Sequence, residues 1–96
     1  MYYRITNAKV HPGKYEEAMA TMESLRDRMG EISGLISSRL IRISETEMVG
    51  VAGYESKEHL EASQAQFAEL MGSMMPYMAA PPEVSFGEGI FSFDSE

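Results

Sequence analysis

The stretch GYESKEHLEASQ, residues 53–64, holds two side chains that could do chemistry at the junction of a strand and a helix. The Tyr54 hydroxyl could hydrogen-bond a phenolic substrate or give a proton to a developing oxyanion. His59 lies in the first turn of the helix, where a neutral imidazole could act as a base. The sequence favours a structural role for both, a core tyrosine and a surface histidine, because no second titratable residue is visibly placed beside Tyr54.

Glu88 is a third candidate, because it lies between two glycines on the last predicted strand. If it faces the interior, its carboxylate needs a cationic partner, and Arg39 and Arg42 on the second strand, of the same or the other subunit, are the candidates. An ion pair or an exposed edge position is favoured over a catalytic base. The two histidines of the chain lack the helical or hairpin spacing of metal ligands, so no metal site is expected.

Nine methionines are the most unusual feature of the composition. Unbranched thioethers adapt to irregular space, which suits a tolerant core or an apolar pocket. Their helical spacing favours core packing, but a pocket between helices and sheet, covered by residues 74–78, is the expected place for a ligand. The predicted substrate-binding residues are Met22, Phe67, Met71, Met74 and Met78, together with Glu88.

Hydrophobic periodicity predicts the order βαββαβ within one domain spanning residues 1–96. Such a split βαβ pattern is a ferredoxin-like α+β fold, in which a four-stranded antiparallel sheet carries two helices on one face. The predicted segments are a strand over 2–10, a helix over 14–29 with Gly30 or Gly34 as its stop, a hairpin of strands over 34–43 and 47–54, a helix from the N-cap Ser56 to about Gly72, and a strand over 83–94.

The size of the chain predicts a homodimer. Ninety-six residues without cysteine bury too little surface for a robust isolated core, so oligomerisation is the remaining reinforcement. Apolar residues occur at both odd and even positions of the strands, so both faces of the sheet are expected to be buried. The face without helices therefore has to pack against something else. A second copy of the chain can supply that surface.

Charge and hydropathy exclude several partners. The net charge is −7 and the eight basic residues are scattered singly, which argues against binding nucleic acid. A neutral or apolar ligand is expected instead. No stretch approaches the roughly 20 apolar residues of a membrane span, and the first residues have the pattern of a strand, so a cytoplasmic protein is predicted.

Four segments resemble the antibiotic biosynthesis monooxygenase-like family of the dimeric α/β-barrel superfamily. They are VHPGKYEEAM (10–19), GLISSRLIR (34–42), GYESKEHLEASQAQF (53–67) and PPEVSFGE (81–88). The family's usual Trp-x-Ser corresponds to Tyr54 and Ser56, and its following Ala-His pair corresponds to Ala62 and Ser63. The family histidine is therefore absent, although Asn7 on the first strand is compatible with the family's haem-degrading members.

The resemblance implies a cofactor-independent monooxygenase acting on a small apolar aromatic, a quinol or polycyclic phenol. The substrate's own electron-rich anion would activate O₂, so no cofactor is expected. Tyr54, Asn7 and His59 would orient and deprotonate the substrate. The alternative is a non-catalytic homodimeric module that binds a small ligand or stabilises a partner, and loss of the family histidine favours it.

Overall fold

The computed structural model describes residues 1–95 and contains one antiparallel sheet of four strands in the order β2-β3-β1-β4. Helices cover one face of this sheet, which is the predicted ferredoxin-like α+β fold. The strands are β1 (Tyr2–Lys9), β2 (Leu35–Ser44), β3 (Glu47–Tyr54) and β4 (Glu83–Glu88), and the helices are α1 (Tyr15–Ser24), α2 (Arg26–Met29), α3 (Lys57–Ala62), α4 (Gln64–Met74) and a 3₁₀ turn, Met75–Tyr77.

Each predicted helix is divided in two. The interruptions fall at Leu25 and Ser63, whose backbone angles are close to −90° and 0°. At the second break the Ser63 hydroxyl donates to the Leu60 carbonyl at 2.8 Å, a back-bond that bends helices. The predicted N-cap is present, since Ser56 Oγ accepts the His59 backbone N–H. The left-handed stop after the first helical segment is Gly34, at φ 80°, not Gly30.

The last strand is shorter than predicted. Tyr2 of β1 pairs with Glu88, and the Gly89 N–H donates to the Met1 carbonyl, so later residues extend past the paired part of β1. Strand pairing therefore ends at Glu88 rather than at residue 94. Beyond it, Ile90, Phe91 and Phe93 are at least 80% exposed.

Directly paired residues of an antiparallel sheet project to the same side, so the register separates two rows of side chains. The helix-facing row contains Arg4, Thr6 and Ala8 of β1, all buried. The outer face, without helices, is defined here by Ile5 and Asn7 of β1 with their neighbours Val49 and Val51 on β3 and Ile41 on β2.

The apolar core lies between the helix-facing row and the helices. Its centre is the cluster of Ile32, Tyr54 and Leu60, all with 6% exposure or less. No helix in the described part of the chain combines the length and apolarity needed to cross a membrane.

Candidate functional site

A cavity of about 110 Å³ lies between the sheet and the helices and is called the helix–sheet cavity below. The helix-facing row of β1, β2 and β3 forms its floor, and residues of α1, α2 and α4 line the opposite side. The lining is mostly apolar. It includes all five apolar side chains that the sequence predicted to bind substrate: Met22, Phe67, Met71, Met74 and Met78.

One side of this cavity carries a buried arginine. Arg4 is 1% exposed and its guanidinium donates three hydrogen bonds. Nη1 donates to the Tyr54 hydroxyl at 2.6 Å, and Nη2 donates to Gln64 Oε1 at 2.8 Å and to Ser63 Oγ at 3.4 Å. The guanidinium therefore ties β1 to the end of β3 and to the start of α4.

Three aromatic rings, those of Tyr54, Phe67 and Phe86, and neutral oxygens surround the charge of Arg4. Its Cζ lies 3.8 Å from the centroid of the Phe67 ring. A desolvated cation–π contact contributes about 2 kcal/mol, whereas burying an ion removes several kcal/mol of hydration. Within residues 1–95, no carboxylate lies within 4.0 Å of the Arg4 guanidinium. Arg4 is thus a buried cation without a counter-ion.

Tyr54 is where the sequence analysis placed its first candidate, at the end of β3, and it is 1% exposed. It lines the cavity and accepts the Arg4 hydrogen bond. The expectation that no titratable residue lies beside Tyr54 was wrong, because β1 brings Arg4 to it from fifty positions away.

Asn7 is not in the cavity. It faces the opposite side of the sheet, where Nδ2 donates to Glu47 Oε2 at 3.2 Å. Lys9 Nζ lies 3.1 Å from the same carboxylate oxygen. Hydrogen bonds from Lys9 and then Asn7 hold the pKa of Glu47 below its ordinary value. Asn7 therefore belongs to a polar cluster of the outer face.

His59 does not line the cavity either. Its Nδ1 lies 2.7 Å from Ser56 Oγ, and its Nε2 lies 3.6 Å from Glu55. The ring packs so closely on Gly34 that a Cβ there would lie 2.3 Å from ring atoms. Tyr54, Asn7 and His59 are consequently not brought together within one protomer.

Glu88 is exposed on β4 and is absent from the cavity lining. Its predicted partners, Arg39 and Arg42, lie on β2 at the opposite edge of the sheet, because β3 and β1 separate the two strands. Arg42 stacks instead over the Tyr15 ring, with Cζ 3.9 Å from its centroid. An ion pair between Glu88 and either arginine is therefore ruled out within one protomer.

Arg4 is the site residue that the sequence reading missed. One signal could have found it. Arg4 alternates with Thr6, Ala8 and Val10 along the predicted first strand, so all four face the same side of the sheet, and burial of that side buries the arginine. The row was not singled out because Tyr3 and Ile5 make the other parity equally apolar. Ser63 places a small hydroxyl beside the guanidinium, with its Oγ 3.4 Å from Nη2.

Comparison with known proteins finds solved structures only. No family model matches the sequence, and no curated protein matches it. A variant of SnoaB, a cofactor-independent oxygenase from Streptomyces nogalater, superimposes with a TM-score of 0.81 at 12% identity, over 98% of this chain and 97% of that one.

Two further structures show the same fold. A proposed antibiotic biosynthesis monooxygenase from Bordetella bronchiseptica has a TM-score of 0.79 at 21% identity, covering 94% of this chain and 97% of its own. A protein of unknown function from Nitrosomonas europaea reaches 0.81 at 12% identity, covering 99% and 94%. The chain therefore shares its fold with antibiotic biosynthesis monooxygenase-like proteins along nearly its whole length.

Proposed function

We propose that this protein binds a one-ring phenol or quinol in the helix–sheet cavity and oxidises it with O₂ without a cofactor. The observation that carries the proposal is the cavity itself, an apolar chamber with the Tyr54 and Arg4 donors on one side. Apolar walls with a few convergent polar groups are the usual form of a small-molecule site.

The cavity volume limits the size of the ligand. An apolar protein cavity of about 150 Å³ holds one benzene molecule, and the helix–sheet cavity measures about 110 Å³. A single ring therefore fits once flexible methionine side chains adjust. A polycyclic phenol, included in the sequence-based expectation, exceeds this volume, so the proposal is confined to one ring.

The chemistry requires the substrate to supply all the electrons. For hydroquinone, one oxygen atom of O₂ enters the ring and the other leaves as water, giving hydroxybenzoquinone. Tyr54 would hydrogen-bond the ring oxygen, and the Arg4 guanidinium beside it would stabilise negative charge as that oxygen gives up its proton, which ends in the water formed from O₂. The surrounding side chains would orient the ring and exclude water.

The fold supports this reaction class, because one of its structural neighbours is described as a cofactor-independent oxygenase. Fold alone does not determine function. The test is oxygen consumption by the purified protein with hydroquinone and its methylated derivatives. We expect turnover by the wild type and loss of at least about tenfold in Tyr54→Phe, the size expected for one hydrogen bond to a developing charge.

Tyr77→Phe is the matched control. The Tyr77 hydroxyl also makes one side-chain hydrogen bond, with Thr21 at 2.8 Å, but Tyr77 does not line the cavity. The control should keep wild-type turnover, and circular dichroism should show that both variants are folded. Oxygen consumption at background with every compound would contradict the proposal.

A non-catalytic binding protein is the second candidate. Among the described residues, the cavity lining includes no His, Asp or Glu, so no side chain there is an obvious base. Binding of hydroquinone without oxygen consumption would support this candidate over the oxygenase.

The proposal includes a homodimer paired through the outer face. Ile5 and Ile41 are 43% and 48% exposed there, and the face has no helices over it. Burying such side chains is the main favourable term in association. The cavity lies on the other side of the sheet and would remain accessible to ligand.

A further inference from the structure

We propose that the natural ligand of the helix–sheet cavity carries a carboxylate and that Arg4 binds this group. The inference rests on the proposed function only in taking the cavity as the ligand site. It does not depend on whether the bound molecule is oxidised. The juxtaposition that supports it is a buried guanidinium, unpaired with any carboxylate of residues 1–95, beside an apolar cavity of about 110 Å³.

The first step concerns charge. A guanidinium has five N–H donors and keeps its proton in proteins. The three donors already engaged contact neutral oxygens of Tyr54, Ser63 and Gln64. None of these acceptors carries a negative charge, and no carboxylate of residues 1–95 pairs with Arg4. An anion in the cavity would therefore gain from the field of the guanidinium.

The second step concerns the acidic residues on surrounding elements. Glu69 on α4 pairs with Arg28 at 2.6 Å, and Glu61 on α3 and Glu88 on β4 are exposed. None of them lines the cavity, as far as the described residues show. Among residues 1–95, no carboxylate therefore takes the place of a counter-ion to Arg4.

The third step concerns unused donors. Arg4 Nε is buried and has no hydrogen-bond partner. The Tyr54 hydroxyl accepts from Arg4, and no acceptor for its own hydrogen is seen in the described structure. A buried donor without a partner is costly and rare in native proteins. Arg4 and Tyr54 both line the cavity, and the free hydrogen of the Tyr54 hydroxyl suits an oxygen ligand with lone pairs and no hydrogens.

The charge must exist before binding if it is to compensate Arg4 at neutral pH. A carboxylate meets this condition, whereas a simple phenol enters neutral. The sequence-based expectation of a neutral ligand rested on the net charge of −7. That field is screened within about 8 Å at physiological ionic strength, so the local charge of Arg4 decides the preference inside the cavity.

Calorimetric titration with benzoate and benzamide tests the inference directly, because the two compounds share size and ring and differ in charge. We expect the wild type to bind benzoate at least about tenfold more tightly, since charge-assisted hydrogen bonds are roughly twice as strong as neutral ones. Equal affinity, tighter binding of benzamide, or no binding of either compound would overturn the inference.

Arg4→Met should remove the preference for benzoate while keeping binding of benzamide. The control is Arg26→Met, which makes the same change at an exposed arginine outside the cavity and should keep the wild-type ratio. Circular dichroism checks that both variants are folded. The comparison of benzoate with benzamide on the wild-type protein tests the inference even if Arg4→Met does not fold. A preference for benzoate retained in Arg4→Met would overturn the assignment.

The two proposals can fail separately. A strong preference for benzoate without any oxygen consumption would contradict oxygenation and leave the carboxylate site standing. Turnover of hydroquinone without a preference for benzoate would contradict the carboxylate site and leave the oxygenase standing.

Discussion

An ordinary half-buried strand has apolar side chains on its buried face and polar side chains on its exposed face, but β1 places a charged residue inside and an isoleucine outside. On the helix-facing row a charged residue, Arg4, is 1% exposed, whereas on the outer face an isoleucine, Ile5, is 43% exposed. Burying a charge is unfavourable, and so is leaving a large apolar side chain in water. The proposed ligand would relieve the first cost and the proposed dimer the second, so the two faces of β1 can be tested separately.

The largest expected effect is on the outer face. Ile41→Asp should weaken the proposed dimer at least about a hundredfold, because each buried isoleucine contributes about 1.5–3 kcal/mol and a twofold interface uses it twice. Sedimentation at micromolar concentration checks this, with Ala65→Asp on the exposed surface of α4 as the control. A folded wild-type monomer under these conditions would contradict the dimer.

The same kind of truncation should separate core from outer face in the protomer. Leu60→Ala, in the cluster with Ile32 and Tyr54, should lower the free energy of unfolding by about 2–5 kcal/mol. Ile41→Ala should lower it by less than about 1 kcal/mol, because this side chain is already half exposed. This value is measured at protein concentrations low enough for the protein to be monomeric. Urea titration gives both values, and similar losses would mean the faces are equally packed.

The hydrogen bond between Arg4 and Tyr54 predicts a smaller effect. Tyr54→Phe removes the acceptor of a buried charged donor, so the free energy of unfolding should fall by about 1.5–3 kcal/mol. Tyr77→Phe breaks a neutral hydrogen bond and should lose only about 0.5–1.5 kcal/mol. Thermal unfolding distinguishes them, and a smaller loss in Tyr54→Phe would mean that its bond to Arg4 contributes little.

The smallest effect concerns Glu47 on the outer face. Its pKa is lowered by Lys9 and Asn7, so the stability it contributes is present above its unfolded pKa and is lost as pH falls through its folded pKa. Lys9→Met should raise this pKa toward the ordinary value and flatten the acid side of the stability profile. NMR chemical shifts of the Glu47 carboxyl carbon, measured across pH, give this pKa. An unchanged pKa in Lys9→Met would contradict the contribution of Lys9.

Most of the architecture could be predicted because each element has a local pattern. Alternating apolar and polar residues predicted β1 and the hairpin of β2 and β3, and Ser56 predicted the start of a helix. The end of β4 could not be predicted in this way, since Ile90, Phe91 and Phe93 favour a strand but pairing depends on whether β1 has backbone beside them. Local propensity carries no information about the length of a distant partner.

The candidate site divides along the same line. Five apolar lining residues were predicted, four of them on the apolar side of α4 and the turn after it, where helical spacing fixes their direction. Asn7 and His59 do not meet Tyr54 within one protomer. The side of the sheet that a strand residue faces and the contacts of a helix's first turn both depend on tertiary packing, which the sequence pattern does not give. Arg4 was missed for the same reason, since its partners lie fifty or more residues away.

The methionines offer the most direct measurement of whether the helix–sheet cavity binds a ring. Titrating hydroquinone into protein labelled with ¹³C at the methionine methyls should produce ring-current shifts at the lining residues, which are Met22, Met29, Met48, Met71, Met74 and Met78. Met1, Met19 and Met75 lie outside the lining and should not shift. Shifts confined to these three, or no shifts at all, would contradict the account.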